Sequence, residues 1–327
     1  MQSRKIIDHK ETGFKIFWRN GTEQDINKNK SILALGTFDG VHIAHKKLID
    51  EALALKKRSD ATLVGVWCFS QSPAGFFKGI TVPALTLPDQ KINILMELGA
   101  DFVAVGDFEN FCTMSADNFI SNILISRLKC IGAVCGFNHR FGHKGMGDMN
   151  LLREKFGNSR VVSVDEIKLF GETVSSTAIR AALLAGNPVK AAEMLGRKFS
   201  LEAPVVHGKQ LGRELKFPTA NQYFTGNLIV PKHGIYATMC TLENGEKLIG
   251  VSNVGVRPTI SDEIDSHIAN CETYICDFSG DLYGQMLKVE FCAYLREEKR
   301  FSSIEELRSA IVADKQAALE FFNEINT

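Results

Sequence analysis

The chain has 327 residues, room for two domains at roughly 100–200 residues each, and 45% hydrophobic with 23% charged residues excludes wholesale disorder. Lys+Arg and Asp+Glu both number 38, so the formal net charge is zero and the broad basic field of a non-specific nucleic-acid binder is excluded. The eight cysteines include no Cys-x-x-Cys and read as reduced thiols of a soluble, cytoplasmic protein. The polar start, residues 1–10, is no signal h-region. The longest uncharged stretch, residues 61–77, carries Gly, Ser, Gln and Pro and is too short to span a bilayer.

In chain order, the first half alternates apolar runs with helix-period segments. Strands are predicted over 31–36, 61–67, 101–105, 131–135 and 160–164. Between them, residues 45–57 place Leu48, Ile49, Ala52, Leu53 and Leu55 on one helical stripe. Residues 91–98 read as a helix stopped by Gly99, and another helix opens at Ser115 and runs to about Lys129. Continuous apolar strands alternating with helices predict a parallel sheet covered on both faces.

Short helical pieces follow at 176–185 and 189–195, separated by Gly186-Asn187-Pro188. Beyond them the apolar period becomes two. Asn244-Gly245 between residues 235–242 and 247–251 predicts a two-residue hairpin loop. Residues 286–295 place Leu287, Val289, Phe291, Ala293 and Leu295 on one face of a strand. A closing amphipathic helix is predicted over 303–322. These patterns divide the chain into an α/β domain, 1–187, and a mainly antiparallel β domain, 188–327, read as a small barrel with a terminal helix.

Gly36-Thr-Phe38-Asp39-Gly40-Val-His42-Ile-Ala-His45 lies between the first predicted strand and its helix. In a parallel sheet that turn aims free helix N–H groups outward, and Gly36 and Gly40 let backbone approach a ligand. His42 and His45 share a helical face and suit charge developing on a phosphate oxygen. The same pair also fits plain capping and packing, and no third zinc ligand stands at a usual spacing. Ser175-Ser176-Thr177-Ala-Ile-Arg180 combines hydroxyls, a helix start and a guanidinium, which is an anion site or an ordinary cap. Gly136-Phe-Asn138-His139-Arg-Phe-Gly142 follows the fourth strand, at the same sheet edge.

In the second domain, Gly208-Lys209-Gln-Leu-Gly212-Arg213 offers loop amides and two cations to phosphates, without the Gly-Lys-Ser/Thr of a Walker loop. Phe217-Pro218-Thr219-Ala-Asn221 follows, where Thr219 and Asn221 present hard oxygens suited to Mg2+ on a nucleotide. Glu272 sits among mostly uncharged neighbours. It reads as a general base near phosphate or as a solvent-facing carboxylate on an edge strand.

The three N-terminal blocks together resemble the HxGH-type nucleotidyltransferases, and within them the adenylyltransferase half of the prokaryotic bifunctional riboflavin kinase/FAD synthetases. The blocks Gly208…Gly212-Arg213…Phe217-Pro218-Thr219-Ala220-Asn221, Asn253-Val-Gly-Val-Arg257-Pro-Thr, Glu272 and Asp281-Leu-Tyr-Gly284 resemble, in order, the riboflavin kinase module of the same family. The resemblance covers nearly the full chain. It implies an α/β nucleotidyltransferase domain followed by a six-stranded β-barrel kinase. It also implies riboflavin, FMN, FAD and ATP as small-molecule substrates and products, Mg2+ as metal, and no nucleic-acid or membrane partner.

Carried over residue by residue, the resemblance implies catalytic roles for His42, His45 and Glu272, and Mg2+ at Thr219 and Asn221. It implies ligand-binding roles for Gly36, Phe38, Asp39, Gly40, Asn138, Ser176, Thr177, Arg180, Gly208, Lys209, Gly212, Arg213, Pro218, Asn253 and Arg257. The chain departs from the family pattern at Ala44, where Gly is usual, and at His139, where an aromatic is usual. It departs also at Ser70-Gln-Ser-Pro73, where Asp-Pro-His-Pro is usual, and at Lys216, which replaces a usual Gly. The departures in the first domain bear on adenylyl transfer. A kinase with an impaired adenylyltransferase and a non-catalytic flavin binder are the rival readings.

Overall fold

The computed structural model describes residues 6–9, 13–19, 26–208, 217–256 and 269–324. The chain forms two compact units, residues 1–176 and 177–327. The first holds strands β1 (Ile6–His9), β2 (Phe14–Trp18), β3 (Ser31–Leu35), β4 (Leu63–Phe69), β5 (Phe102–Gly106), β6 (Cys130–Gly136) and β7 (Val161–Val164). They make one sheet in the order β1-β2-β5-β4-β3-β6-β7. β4, β3, β6 and β7 pair in parallel, as does β5 with β4, and this is the expected α/β architecture.

Both faces of the central strands are buried because helices cover both. Ile32, Ala34, Val64, Val66 and Cys68 pack against Leu48, Ile49 and Ala52 of helix Ile43–Lys57 and against Ile92, Leu95 and Met96 of helix Pro88–Glu97. Leu33, Leu35, Leu63 and Trp67 face the opposite core, with Phe119, Ile120 and Ile123. The sequence pattern did not assign β1 and β2, which extend the sheet through an antiparallel β2–β5 pairing. In β2, Phe14, Ile16 and Trp18 alternate inward and are almost fully buried. The helix expected from Ser115 begins over Ala116–Asn118 and continues over Phe119–Arg127 in the wider π form, with Leu128 N donating to Ile123 O at 3.0 Å.

Gly65 shows how tightly β4 is packed. A Cβ there would lie 2.2 Å from Phe102 Cζ and 2.7 Å from Leu33 Cδ2. Gly65→Val is expected to lower the unfolding free energy by about 2 kcal/mol or more, because two buried neighbours must move. Urea melts of the two proteins check this.

A short hairpin, β8 (Lys168–Leu169) with β9 (Glu172–Thr173), closes the first unit. Helix Ser176–Leu184 and helix Pro188–Leu195 follow. The second unit holds β10 (Phe199–Pro204), β11 (Thr219–Tyr223), β12 (Gly234–Thr241), β13 (Lys247–Val256), β14 (Ala269–Ile275) and β15 (Met286–Arg296). These form one antiparallel sheet in the order β10-β15-β12-β13-β14-β11. The sheet curls until its end strands meet, at an isolated bridge between Val206 and Asn221. Inside the seam the Gln222 amide, on β11, donates to Ala203 O and Leu287 O, each at 2.7 Å. A polar chain crosses the interior, Thr238 to Ser252 at 2.9 Å and Ser252 to Thr273 at 2.8 Å.

Two local expectations change. The hairpin loop is three residues long, because Leu242 N donates to Glu246 O and Gly245 N to Leu242 O, both at 2.9 Å, with Gly245 at φ +87°. β15 does not keep one apolar face either. A bulge shifts its register against β12 between Ala237 and Thr238. Leu287, Val289 and Phe291 are fully buried, whereas Cys292, Ala293 and Leu295 pack with Ala318 and Phe322 of the terminal helix, Ile304–Glu324. Arg296 clamps that helix with a two-pronged pair to Asp314, at 2.7 and 2.6 Å.

Two candidate active sites

Strands β3-β4-β5 run one way from the centre of the first sheet and β6-β7 the other. The switch point therefore lies between β3 and β6, whose carboxyl ends carry the Gly36 and Gly136 loops. The Gly36 loop is strained. Phe38, Gly40 and Val41 have φ of +53°, +77° and +41°, although two of the three are not glycine. Burial holds the strain in place: Phe38 is 0% and Val41 2% exposed. A Cβ at Gly36 would come 3.1 Å from the Phe38 ring, so the strand end and the loop are closely fitted.

Helix Ile43–Lys57 starts at His42, whose Nδ1 accepts from His45 N at 3.4 Å. Accepting through Nδ1 requires that nitrogen to be unprotonated, which leaves Nε2 as the donor. Capping thus occupies Nδ1 of His42 and leaves Nε2–H as its donor. The His42 and His45 rings stack 3.6 Å apart at 16°, and the Phe38 ring lies 4.9 Å from that of His45. Both imidazoles are buried.

Asp39 ties distant segments to this loop. Its Oδ1 accepts from Leu85 N at 3.0 Å, and its main-chain oxygen accepts from Ser176 Oγ at 2.9 Å. Ser176 is thereby tied to the Gly36 loop within the first unit, and Thr177 and Arg180 follow it in sequence on helix Ser176–Leu184. In the Gly136 loop Asn138 is exposed, and His139 stacks on Phe141 at 5.9 Å and 23°. Desolvation holds the His139 imidazole below the ordinary histidine range, so at neutral pH it is an uncharged flat ring, as an aromatic would be. In the segment that departs from the family pattern, Ser72 caps helix Pro73–Lys78 and Ser70 donates to Asp107 at 2.8 Å.

In the second unit Asn221, Glu272 and Asn253 are direct partners on β11, β14 and β13, so they form one row on one face. β14 is an inner strand and Glu272 is half-buried, which removes the edge-strand reading of this carboxylate. Asn270, two residues earlier on the same face, donates Nδ2–H to Glu272 Oε1 at 3.0 Å. Asn253 Oδ1 is buried and has no hydrogen-bond partner among the described residues. Asn270 was missed in the sequence, where only its period-two spacing from Glu272 could have marked it.

A cleft of about 380 Å3 lies beside this row, lined by Gly208, Pro218, Thr219, Asn221, Asp281 and Tyr283, among others. A Cβ on Gly208 would come 2.6 Å from Asn221 Nδ2, so the chain passes over Asn221 only because residue 208 is glycine. Tyr283 stacks on His207 at 3.8 Å, and Tyr283 N donates to Asp281 Oδ1 at 3.0 Å, which sets the Asp-Leu-Tyr-Gly turn. Asn221 Nδ2 donates to Thr219 O at 3.3 Å, which leaves Oδ1 as that side chain's acceptor. Among the described residues no group of three or more His, Cys, Asp or Glu is placed to hold a metal. Thr219 and Asn221 are hard, neutral donors lining one cleft, and they fit a Mg2+ that draws its other ligands from phosphate and water. Lys209, Gly212, Arg213 and Arg257 lie outside the described residues.

All eight cysteines are free thiols, and burial pushes Cys130 and Cys135 up to about 12, so these two stay protonated and inert. Among the described residues no helix is long and apolar enough to cross a membrane.

Two family models match, FAD synthetase over residues 24–178 and riboflavin kinase over 195–322. The chain is 33% identical to a bifunctional riboflavin kinase/FMN adenylyltransferase of Bacillus subtilis (strain 168), over 90% of this chain and 94% of the relative. The chain belongs to this bifunctional family. A member from Escherichia coli (strain K12) is 36% identical over 89% of this chain and 92% of its own length. A crystal structure described as a macrolide-efflux protein from Streptococcus pneumoniae superposes with a TM-score of 0.80 at 26% identity, covering 89% of this chain and 94% of that one. Family membership accounts for a parallel and an antiparallel sheet in one chain.

Proposed function

We infer that this protein makes flavin cofactors in two steps, phosphorylating riboflavin to FMN and adenylylating FMN to FAD. The observation that carries the reading is the joint occurrence of the family's two modules, each with its own polar site, over about nine-tenths of the chain. We assign residues 188–327 to the kinase. Residues 1–187 go to adenylyl transfer, a reading supported by the FAD synthetase match over 24–178 and by the bond of Ser176 to Asp39 in the Gly36 loop.

For the kinase, Glu272 takes the proton of the 5′-hydroxyl of the ribityl chain as that oxygen attacks the γ-phosphorus of ATP, and ADP leaves. Asn253, whose buried Oδ1 has no donor among the described residues, supplies an acceptor for a second substrate hydroxyl. Gly208, Lys209, Gly212, Arg213 and Arg257 are assigned to ligand binding, the Gly208–Gly212 loop to the phosphates, and Pro218 lines the cleft with Thr219 and Asn221. Thr219 and Asn221 would hold Mg2+, which would neutralise charge on the phosphate oxygens.

For adenylyl transfer, the FMN phosphate attacks the α-phosphorus of a second ATP, the bond to the β-phosphate oxygen breaks, and pyrophosphate leaves. The nucleophile is already anionic at neutral pH, so no strong base is needed. His42, His45 and the helix start they occupy stabilise the developing charge. Ser176, Thr177 and Arg180 hold the departing phosphates, while Gly36, Phe38, Asp39, Gly40 and Asn138 shape the nucleotide pocket.

Incubating the purified chain with riboflavin, ATP and Mg2+, then separating flavins by chromatography, tests this. FMN first and FAD later is the expected result. FMN that accumulates without FAD selects a kinase with a disabled N-terminal domain, as the departures at Ala44, His139 and Ser70–Pro73 would allow. Flavin bound with no ATP consumed selects a binding protein.

A further inference from the structure

The segment entering helix Pro88–Glu97 holds two buried polar groups that the reactions above do not use. Lys91 and Thr86 are each 7% exposed. Lys91 Nζ donates to the carbonyl of Phe69, the last residue of β4, at 2.9 Å, and has no other acceptor among the described residues. The neighbouring Cys68 offers no counter-charge, because burial raises its thiol. Thr86 Oγ1 is buried with no partner among the described residues. A buried ammonium with unfilled N–H groups is costly unless an anion completes it, and so is a buried hydroxyl with no partner, here on the segment that leads into the same helix.

The place is as telling as the groups. Helices Ile43–Lys57 and Pro88–Glu97 cover the same face of the sheet, and each follows a parallel strand. Both therefore begin at the carboxyl edge. Lys91 stands in the first turns of the second helix, at the end of β4, next to the strand that leads into the His42–His45 loop. Asp39 links the parts, carrying Leu85 on its carboxylate and Ser176 on its main-chain oxygen. Two segments thus flank Asp39. In-line transfer at phosphorus needs a leaving group on one side and a nucleophile on the other. With the departing phosphates assigned to Ser176, Thr177 and Arg180, the remaining flank is Leu85–Lys91.

We propose that Lys91 and Thr86 form the subsite for the attacking phosphate monoester, here the phosphate of FMN. The ammonium pairs with the dianion and the hydroxyl donates to a second oxygen, which aims one phosphate oxygen at the α-phosphorus. This rests on the assignment of adenylyl transfer to the first domain.

The test uses the full chain with K91Q, K91R and T86V; for the competition of riboflavin against FMN in FAD formation the parent and each variant also carry E272Q, so that riboflavin stays phosphate-free, and kinase turnover is read without E272Q. K91Q is expected to raise the KM for FMN by about tenfold or more, K91R to recover part of that, and T86V to raise it by about threefold. The KM for ATP, the inhibition constant of riboflavin and kinase turnover stay as in the parent protein. A riboflavin constant that rises in step with the KM for FMN means a structural role and overturns the subsite. So does an effect confined to ATP, or an unchanged KM for FMN. Should K91Q not fold, T86V decides on the same readouts. Wild-type protein that makes no FAD overturns the parent assignment, whereas wild-type FAD synthesis with K91Q and T86V unaffected overturns this inference alone.

Discussion

Glu272→Gln is expected to cut FMN formation by about 10²–10⁴-fold while the protein still binds riboflavin, the range that general-base catalysis contributes. The substitution keeps the size of the side chain and its contact with Asn270, so the barrel should not change. What it removes is the group able to accept a proton from the substrate hydroxyl. Glu272 is held on three sides: by Asn221 and Asn253 across the strands, and by the Asn270 N–H at 3.0 Å. The loss should fall on kcat, with the KM for riboflavin little altered, because the proposed role of the carboxylate is on the reacting oxygen and not on the ring system. Steady-state kinetics with riboflavin as the varied substrate check this, and near-normal turnover would remove Glu272 from the mechanism.

His45→Ala is expected to stop FAD formation from FMN, by about 10²–10³-fold, and to leave FMN formation from riboflavin intact. The imidazole stacks on His42 and packs near Phe38, so its loss removes the proposed charge stabilisation and also loosens the ring packing around His42. The strained Phe38–Val41 turn depends on the same packing. The kinase, built on a separate sheet, should be unaffected. Assays of pyrophosphate release from FMN plus ATP, beside FMN release from riboflavin plus ATP, measure the two rates in one protein. A parallel loss of both activities would argue against independent sites.

Much of this was legible in the sequence, for identifiable reasons. The inner strands β3, β4 and β6 are continuous apolar runs because helices bury both faces, and such runs are easily seen. The Gly36 and Gly208 loops were visible because glycine marks close backbone approach, and at Gly208 that approach is to Asn221. What remained hidden depends on partners far apart in the chain. Nothing near Asp39 announces Leu85 or Ser176, and nothing near Lys91 announces the end of β4. A buried lysine in a helical stripe reads as a solvated one until its strand partner is known. Likewise the β15 bulge is set by its pairing with β12, so simple alternation carried Ala293 and Leu295 to the wrong face.

The two substitutions meet in one mixing experiment. The Glu272→Gln protein should lack only the first step and the His45→Ala protein only the second. Supplied with riboflavin, ATP and Mg2+, neither alone should yield FAD, but the mixture should, because FMN released by one protein feeds the other. FAD from the mixture and none from the doubly substituted chain is the result this account predicts. A mixture that stays without FAD, although the unsubstituted protein makes it, would contradict two sites acting in sequence.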